Sequence, residues 1–155
     1  GWQYIMNSFY GGGGGGGDGE MTRVFEALIA YSKETYRNGK LLSKDPIVRQ
    51  KLADLAITLE TLKMIGWDGL YRTEYGVPPE MGGALGIVVS KEFWPRIGQT
   101  CMEILGPLGQ IQTGKWAPLA GHVEQMFRRS FRDHAGGTSQ VKRMVLATRG
   151  LGLPR

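Results

Sequence analysis

The chain's polar and apolar positions fall into helical periods separated by glycine and proline. The most regular run begins at Asp45-Pro46, a capping carboxylate followed by proline at the first helical position. From there Val48, Leu52, Leu55, Leu59 and Leu62 recur at three- and four-residue steps, with Ala56 and Ile65 widening the stripe. Arg49, Lys51, Asp54, Glu60 and Lys63 fall largely elsewhere, so one face is expected to enter a core and the helix to run toward Tyr71 or Tyr75.

Other segments share this period. Met21 to Tyr36 places Val24, Leu28 and Tyr31 on one face, with Phe25 and Ile29 alongside, and Arg37-Asn38-Gly39-Lys40 reads as its stop. After Gly76-Val77-Pro78-Pro79, Glu80 to Leu105 predicts a long helix with Met81, Leu85, Val88, Val89 and Phe93 inward. Pro95 is expected to kink it, because proline supplies no N–H to the preceding turn. Gly106-Pro107-Leu108-Gly109 terminates it, and a loop through Gly114 and Pro118 follows. Val123 to Asp133 and Met144 to Arg149 are the last helical segments. Sustained two-residue alternation and hairpin signals are lacking. The expected fold is all-α, an antiparallel four-helix bundle with short terminal helices.

The N-terminal stretch Trp2 to Tyr10 is also apolar at near-helical spacing, but it enters seven consecutive glycines, Gly11 to Gly17. Glycine costs about 1 kcal/mol against alanine in a helix, so residues 11–19 interrupt the pattern. They are either a flexible linker or a stretch whose side chains are not represented.

Composition narrows the class. At 155 residues with 41% hydrophobic content, the chain is long and apolar enough for one globular domain with a core. Its 19 basic and 14 acidic residues leave a net charge of +5. That suits an anionic partner without choosing one; no nucleic-acid motif appears, so no nucleic-acid partner is expected. The single cysteine, Cys101, excludes an internal disulfide and fits a reducing, cytoplasmic setting. No apolar run approaches the ~20 residues of a membrane span. The opening Gly1-Trp2 reads as the start of a piece of something longer.

Candidate chemistry is sparse. His122 and His134 have no cysteine or carboxylate at metal-ligand spacing and are expected at the surface or in caps, so no metal is expected. Ser139 lacks the context of a nucleophile, and Glu103 and Glu124 read as solvated or capping charges. The remaining feature is Ala135-Gly136-Gly137-Thr138-Ser139-Gln140. A glycine turn followed by Thr-Ser starts a helix, and such a start offers N–H donors to its own cap or to an anion.

Gly136 to Arg143, followed by Arg149-Gly150-Leu151-Gly152-Leu153-Pro154-Arg155, resembles the C-terminal signature of acyl-CoA dehydrogenases, especially the bacterial GGTSE-type branch. Ile104 to Gly109 resembles that family's glycine turn, and Asp45 to Asp54 the start of its second long helix. Trp2 to Tyr10 resembles the entry to its first helix, so the likeness covers nearly the whole chain in order.

The resemblance implies the C-terminal helical domain of an FAD-dependent enzyme that oxidises an acyl-CoA thioester at Cα–Cβ. The N-terminal and middle β domains of that family are not expected within these 155 residues. It implies that Gly137, Thr138 and Gln140 meet the diphosphate or adenosine part of FAD. It also implies that Gly106 and Gly109 lie against the flavin of a neighbouring subunit, in a homo- or hetero-oligomer built through the bundle. Arg37 falls near a flavin-contacting arginine of the family. The family's catalytic glutamate stands either just before the Gly-Thr pair or early in the first bundle helix. Here these places are Gly136 and a position near Gly12, and neither is a carboxylate. The resemblance therefore also implies an alternative, a non-catalytic subunit or domain that supports a flavin site.

Overall fold

A computed structural model describes residues 18–76, 82–130 and 137–154. Five α-helices are present among the described residues: α1 (Asp18–Glu34), α2 (Pro46–Glu74), α3 (Gly82–Leu105), α4 (His122–Ser130) and α5 (Ser139–Val145). The helical class read from the periodicity holds. A two-stranded antiparallel ribbon, β1 (Tyr36–Arg37) and β2 (Lys40–Leu41), interrupts it. The segment at residues 37–40 was expected only to stop a helix. Instead Asn38 and Gly39, at φ 52° and 76°, make a two-residue hairpin turn. Asn-Gly tolerates this left-handed pair better than almost any other dipeptide, so the expectation of no hairpin is corrected here.

The described residues divide into two compact units. One comprises residues 19–59 and 94–130. Its core contains Met21, Val24 and Leu28 from α1, Val48, Leu55 and Leu59 from α2, and Ile97, Cys101 and Ile104 from α3. Val123 and Met126 of α4 join it. Two details fix its elements. Asp45 Oδ1 accepts from the N–H groups of Ile47 and Val48, at 2.8 and 3.3 Å, capping α2 as its sequence required. Gly98 brings α3 close to α4, since a Cβ there would lie 3.2 Å from Phe127 Cδ2. Cys101 is fully buried, and burial pushes its thiol pKa up to about 12.

The other unit comprises residue 18 and residues 60–76, 82–93 and 137–154 among those described. Leu62, Ala84, Val88, Phe93 and Val145 are its buried apolar residues. Gly86 lets α3 approach α2, with a would-be Cβ 3.4 Å from Ile65 Cγ2. Beyond Leu62, α2 exposes Met64, Trp67, Leu70 and Tyr71, each at least 60% accessible. The second half of this helix therefore continues to Glu74 without a buried stripe.

Of the positions expected inward on α3, Val88 and Phe93 are buried, Val89 is half-buried, Met81 lies outside the described residues, and Leu85 fails. Leu85 is 37% exposed, and Ala84 is buried in its place. At about 100° per residue, Phe93 lies roughly 140° round the helix axis from Val88. The helix thus buries one face at Ala84 and Val88 and another from Phe93 onward, so no single stripe describes it. It also continues through Pro95 as one element.

His134, Gly136, the glycine run with Gly12, and the Trp2–Tyr10 segment lie outside the described residues. Among those described, no helix is long and apolar enough to cross a membrane, and no group of three metal-ligating side chains occurs.

Candidate functional site

The Gly-Thr turn is built from backbone first. Gly137 has φ 89°, a left-handed conformation that glycine adopts without strain. Thr138 is extended at φ −66° and ψ 160°, which makes it the N-cap of α5. Its hydroxyl accepts from the N–H of Val141 at 3.3 Å, and its carbonyl accepts from the N–H of Lys142 at 3.1 Å. The helix therefore starts at Ser139, five residues before the Met144 expected as the start of its body. Gln140 is exposed beside this turn.

Two lysines converge on the same turn. Lys91 Nζ, from α3, donates to the Gly137 carbonyl at 2.5 Å. Lys142 is 3% exposed, and its Cε lies 3.5 Å from where a Cβ on Gly137 would stand. Burial, and then the charge of Lys91, pulls the Lys142 pKa down from the usual lysine range. One residue along each helix, Arg143 and Glu92 form an ion pair. The facing surfaces of α3 and α5 thus carry one attractive pair and one repulsive pair side by side.

Neither lysine was singled out in the sequence. Lys142 sits inside the glycine-threonine segment, where a basic residue could have been noticed. Lys91 approaches from 46 residues away and leaves no local trace.

The second predicted locus lies in the other unit. Gly106, at φ 61°, ends α3, and Arg37 Nη2 donates to the carbonyl of Ile104 there. A Cβ on Gly106 would lie 3.7 Å from the same Arg37 nitrogen. Gly109 is buried, and a Cβ there would stand 3.0 Å from Met102 Sδ and 3.3 Å from Leu105 Cβ. Packing within the chain alone accounts for that glycine.

The structure thus brings Gly137, Thr138 and Gln140 together on one turn and places Gly106 and Gly109 on another. Glu103 is ion-paired to Lys51 rather than freely solvated. Glu124 has a side chain only 13% exposed and holds Arg128 at 2.7 Å.

The pattern of the family described as "Acyl-CoA dehydrogenase, C-terminal domain" matches residues 1–151. The chain belongs to this family. Human mitochondrial short-chain specific acyl-CoA dehydrogenase is 24% identical over 127 residues, covering 79% of this chain and 28% of the human protein. Among solved structures, the Tcur3481-Tcur3483 steroid ACAD is 29% identical with a TM-score of 0.79, over 89% of this chain and 35% of that one. The ChsE4-ChsE5 complex from Mycobacterium tuberculosis is 26% identical with a TM-score of 0.79, over 87% and 36% respectively. The chain therefore spans 28% of the human relative's length and little more than a third of the length of these two structural relatives. What it shares with them is the all-α C-terminal domain.

Proposed function

We infer that the chain serves as the C-terminal helical domain of an FAD-dependent acyl-CoA dehydrogenase, which oxidises an acyl-CoA thioester at Cα–Cβ. The bound flavin would supply the hydride acceptor. Gly137, Thr138 and Gln140 would meet the diphosphate or adenosine part of FAD, while Gly106 and Gly109 would lie against the flavin of a neighbouring subunit. The observation that carries this reading is the turn at Gly137. A left-handed glycine, a threonine cap and two lysines gather positive charge at one point, and this donor set suits a diphosphate. Family membership supports the reaction class.

A second reading has its own observation. Neither Gly136 nor the position near Gly12 carries a carboxylate that could take the α-proton. On this reading the chain is a non-catalytic subunit or domain that supports a flavin shared with a partner. One solved relative is itself a complex of two named components, ChsE4 and ChsE5.

The deciding experiment uses the full-length protein, alone and with any chain that co-purifies. Straight-chain and steroid acyl-CoA thioesters are added anaerobically, and the visible flavin absorption is followed. Bleaching with the protein alone supports the enzyme reading. Flavin retained only in the presence of a second chain supports the supporting-subunit reading. Absence of flavin in every preparation overturns both. Gly136→Glu adds a direct check, because it should raise the bleaching rate only if this turn faces the thioester.

A further inference from the structure

We propose that Asn38 is a self-modifying site: the Gly39 nitrogen closes on its side chain, and the isoaspartyl product frees the end of α3 from Arg37. The proposal needs neither flavin nor substrate and stands apart from the reading above.

The chemistry is intramolecular. The Gly39 backbone nitrogen loses its proton and attacks Cγ of Asn38. The N–Cγ bond forms, the Cγ–Nδ2 bond breaks, and the side-chain nitrogen leaves as ammonia. Water then opens the five-membered imide at one of its two carbonyls. Opening at Cγ gives an aspartyl residue. Opening at the backbone carbonyl gives an isoaspartyl residue, with the chain running through Cβ and Cγ. The asparagine and water are the only reactants, and nothing is oxidised or reduced.

Placement selects this bond. Asn38 and Gly39 are exposed, and a Cβ on Gly39 would meet nothing within 4 Å, so no side chain shields the attacking nitrogen. The ribbon that holds them is two residue pairs long, Tyr36 with Leu41 and Arg37 with Lys40, and Tyr36 is 67% exposed. So short a ribbon opens at little cost, which lets the turn leave its left-handed geometry for the cyclising one. Asp18-Gly19 and Asp68-Gly69 are open to the same ring closure, but they belong to α1 and α2, whose backbone geometry the helix fixes. The other asparagine, Asn7, is followed by Ser8, whose Cβ hinders attack.

The consequence follows from register. Arg37 pairs with Lys40 across a two-residue turn, and its Nη2 donates to the Ile104 carbonyl at the end of α3. Leu42 anchors the base of the ribbon: it is buried, and its N–H donates to the Thr35 carbonyl at 2.9 Å. An aspartyl residue preserves the turn, because Asp-Gly suits the same left-handed pair. An isoaspartyl residue adds one backbone atom, so a two-residue turn no longer closes in register. With the base anchored, the displacement falls on the tip and on Arg37.

In the test, the full-length protein is aged in neutral and mildly alkaline buffer, then digested and mapped by mass spectrometry. Labelling with an isoaspartyl-specific methyltransferase is the second readout. Conversion should appear at position 38, rise with pH and exceed that at Asn7. Amide hydrogen exchange is then followed in the peptide that ends α3. The isoaspartyl fraction should exchange there about tenfold faster or more, matching Arg37→Ala, as loss of a charge-assisted hydrogen bond requires. Should Arg37→Ala fail to fold, Arg37→Lys takes its place as the comparison. Asn38→Asp should exchange like the parent, and Asn38→Gly, which keeps a favoured turn pair, should not age. Less conversion at position 38 than at Asn7, or none while a free peptide of residues 33–44 converts, overturns the site. Conversion to the isoaspartyl form with unchanged exchange at the end of α3 overturns the release of Arg37.

Discussion

Arg37 donates from Nη2 to the carbonyl oxygen of Ile104, 67 residues further along the chain. The last carbonyls of a helix have no partner within it. Here a guanidinium from the Asn38-Gly39 hairpin supplies one at the end of α3, just before the chain turns at Gly106. A hydrogen bond from a charged donor contributes about 1.5–3 kcal/mol. Arg37→Ala should therefore destabilise the chain by about 2 kcal/mol in urea unfolding, with Arg37→Lys recovering part of the loss. A change below ~0.5 kcal/mol would show that water replaces the arginine without cost.

Gly121 and Gly114 both have positive φ, at 76° and 92°, but their surroundings differ. A Cβ on Gly121 would stand 1.8 Å from the Gln112 carbonyl oxygen, while one on Gly114 meets nothing within 4 Å. Leu119 and Ala120, just before Gly121, are already left-handed at φ 52° and 55°, so this segment has no slack. Gly114→Ala should cost about 1 kcal/mol, the conformational penalty alone. Gly121→Ala adds a backbone clash and should cost about 3 kcal/mol or more. Matched chemical denaturation of the two variants checks this, and equal midpoints would contradict it.

Thr138→Ala removes the side-chain cap of α5 and should cost about 1 kcal/mol, whereas Thr138→Ser should cost little. In the flavin-bearing protein, Thr138→Ser should also retain FAD. Thermal unfolding gives the first comparison, and the ratio of flavin to protein after dialysis gives the second.

The Lys51–Glu103 ion pair joins α2 to α3, with the two side chains 36% and 42% exposed. The hydrogen bond from Lys51 is the largest influence holding the Glu103 carboxyl below its ordinary pKa. A depressed folded-state pKa means that the pair contributes stability above the unfolded value of about 4.3 and loses it as pH falls through the folded value. Solvent screening limits the contribution to below about 1 kcal/mol. Glu103→Gln should thus lower Tm by a few degrees at most at neutral pH, with the difference vanishing in strong acid and shrinking in high salt. A difference that grows on acidification would reverse the sign assigned to this pair.

Local rules made much of the fold legible. Asp45-Pro46 starts α2 because the carboxylate reaches two N–H groups and proline needs none. The Val48–Leu62 stripe was readable because one face of α2 is buried over that span, though Leu52 is only half-buried. The pattern failed on α3, where the buried face changes between Val88 and Phe93 and leaves Leu85 outside. Asn38-Gly39 was visible but was assigned to helix termination, since four residues of strand give almost no alternation to detect. At the Gly137 turn the cap was written in the sequence. The lysine pair was not, because it depends on how α3 registers against α5.

Cys101 has a use beyond packing. It is the only thiol in the chain, and burial leaves it fully enclosed with a pKa near 12. An alkylating reagent can modify it only when the surrounding core opens, because the reactive thiolate is both scarce and inaccessible otherwise. The rate of labelling at this one atom therefore reports how often α3 parts from its neighbours under native conditions, without denaturant and without an introduced probe. Nature has left a built-in clock in the core of this unit, and any ligand that tightens the unit should slow it.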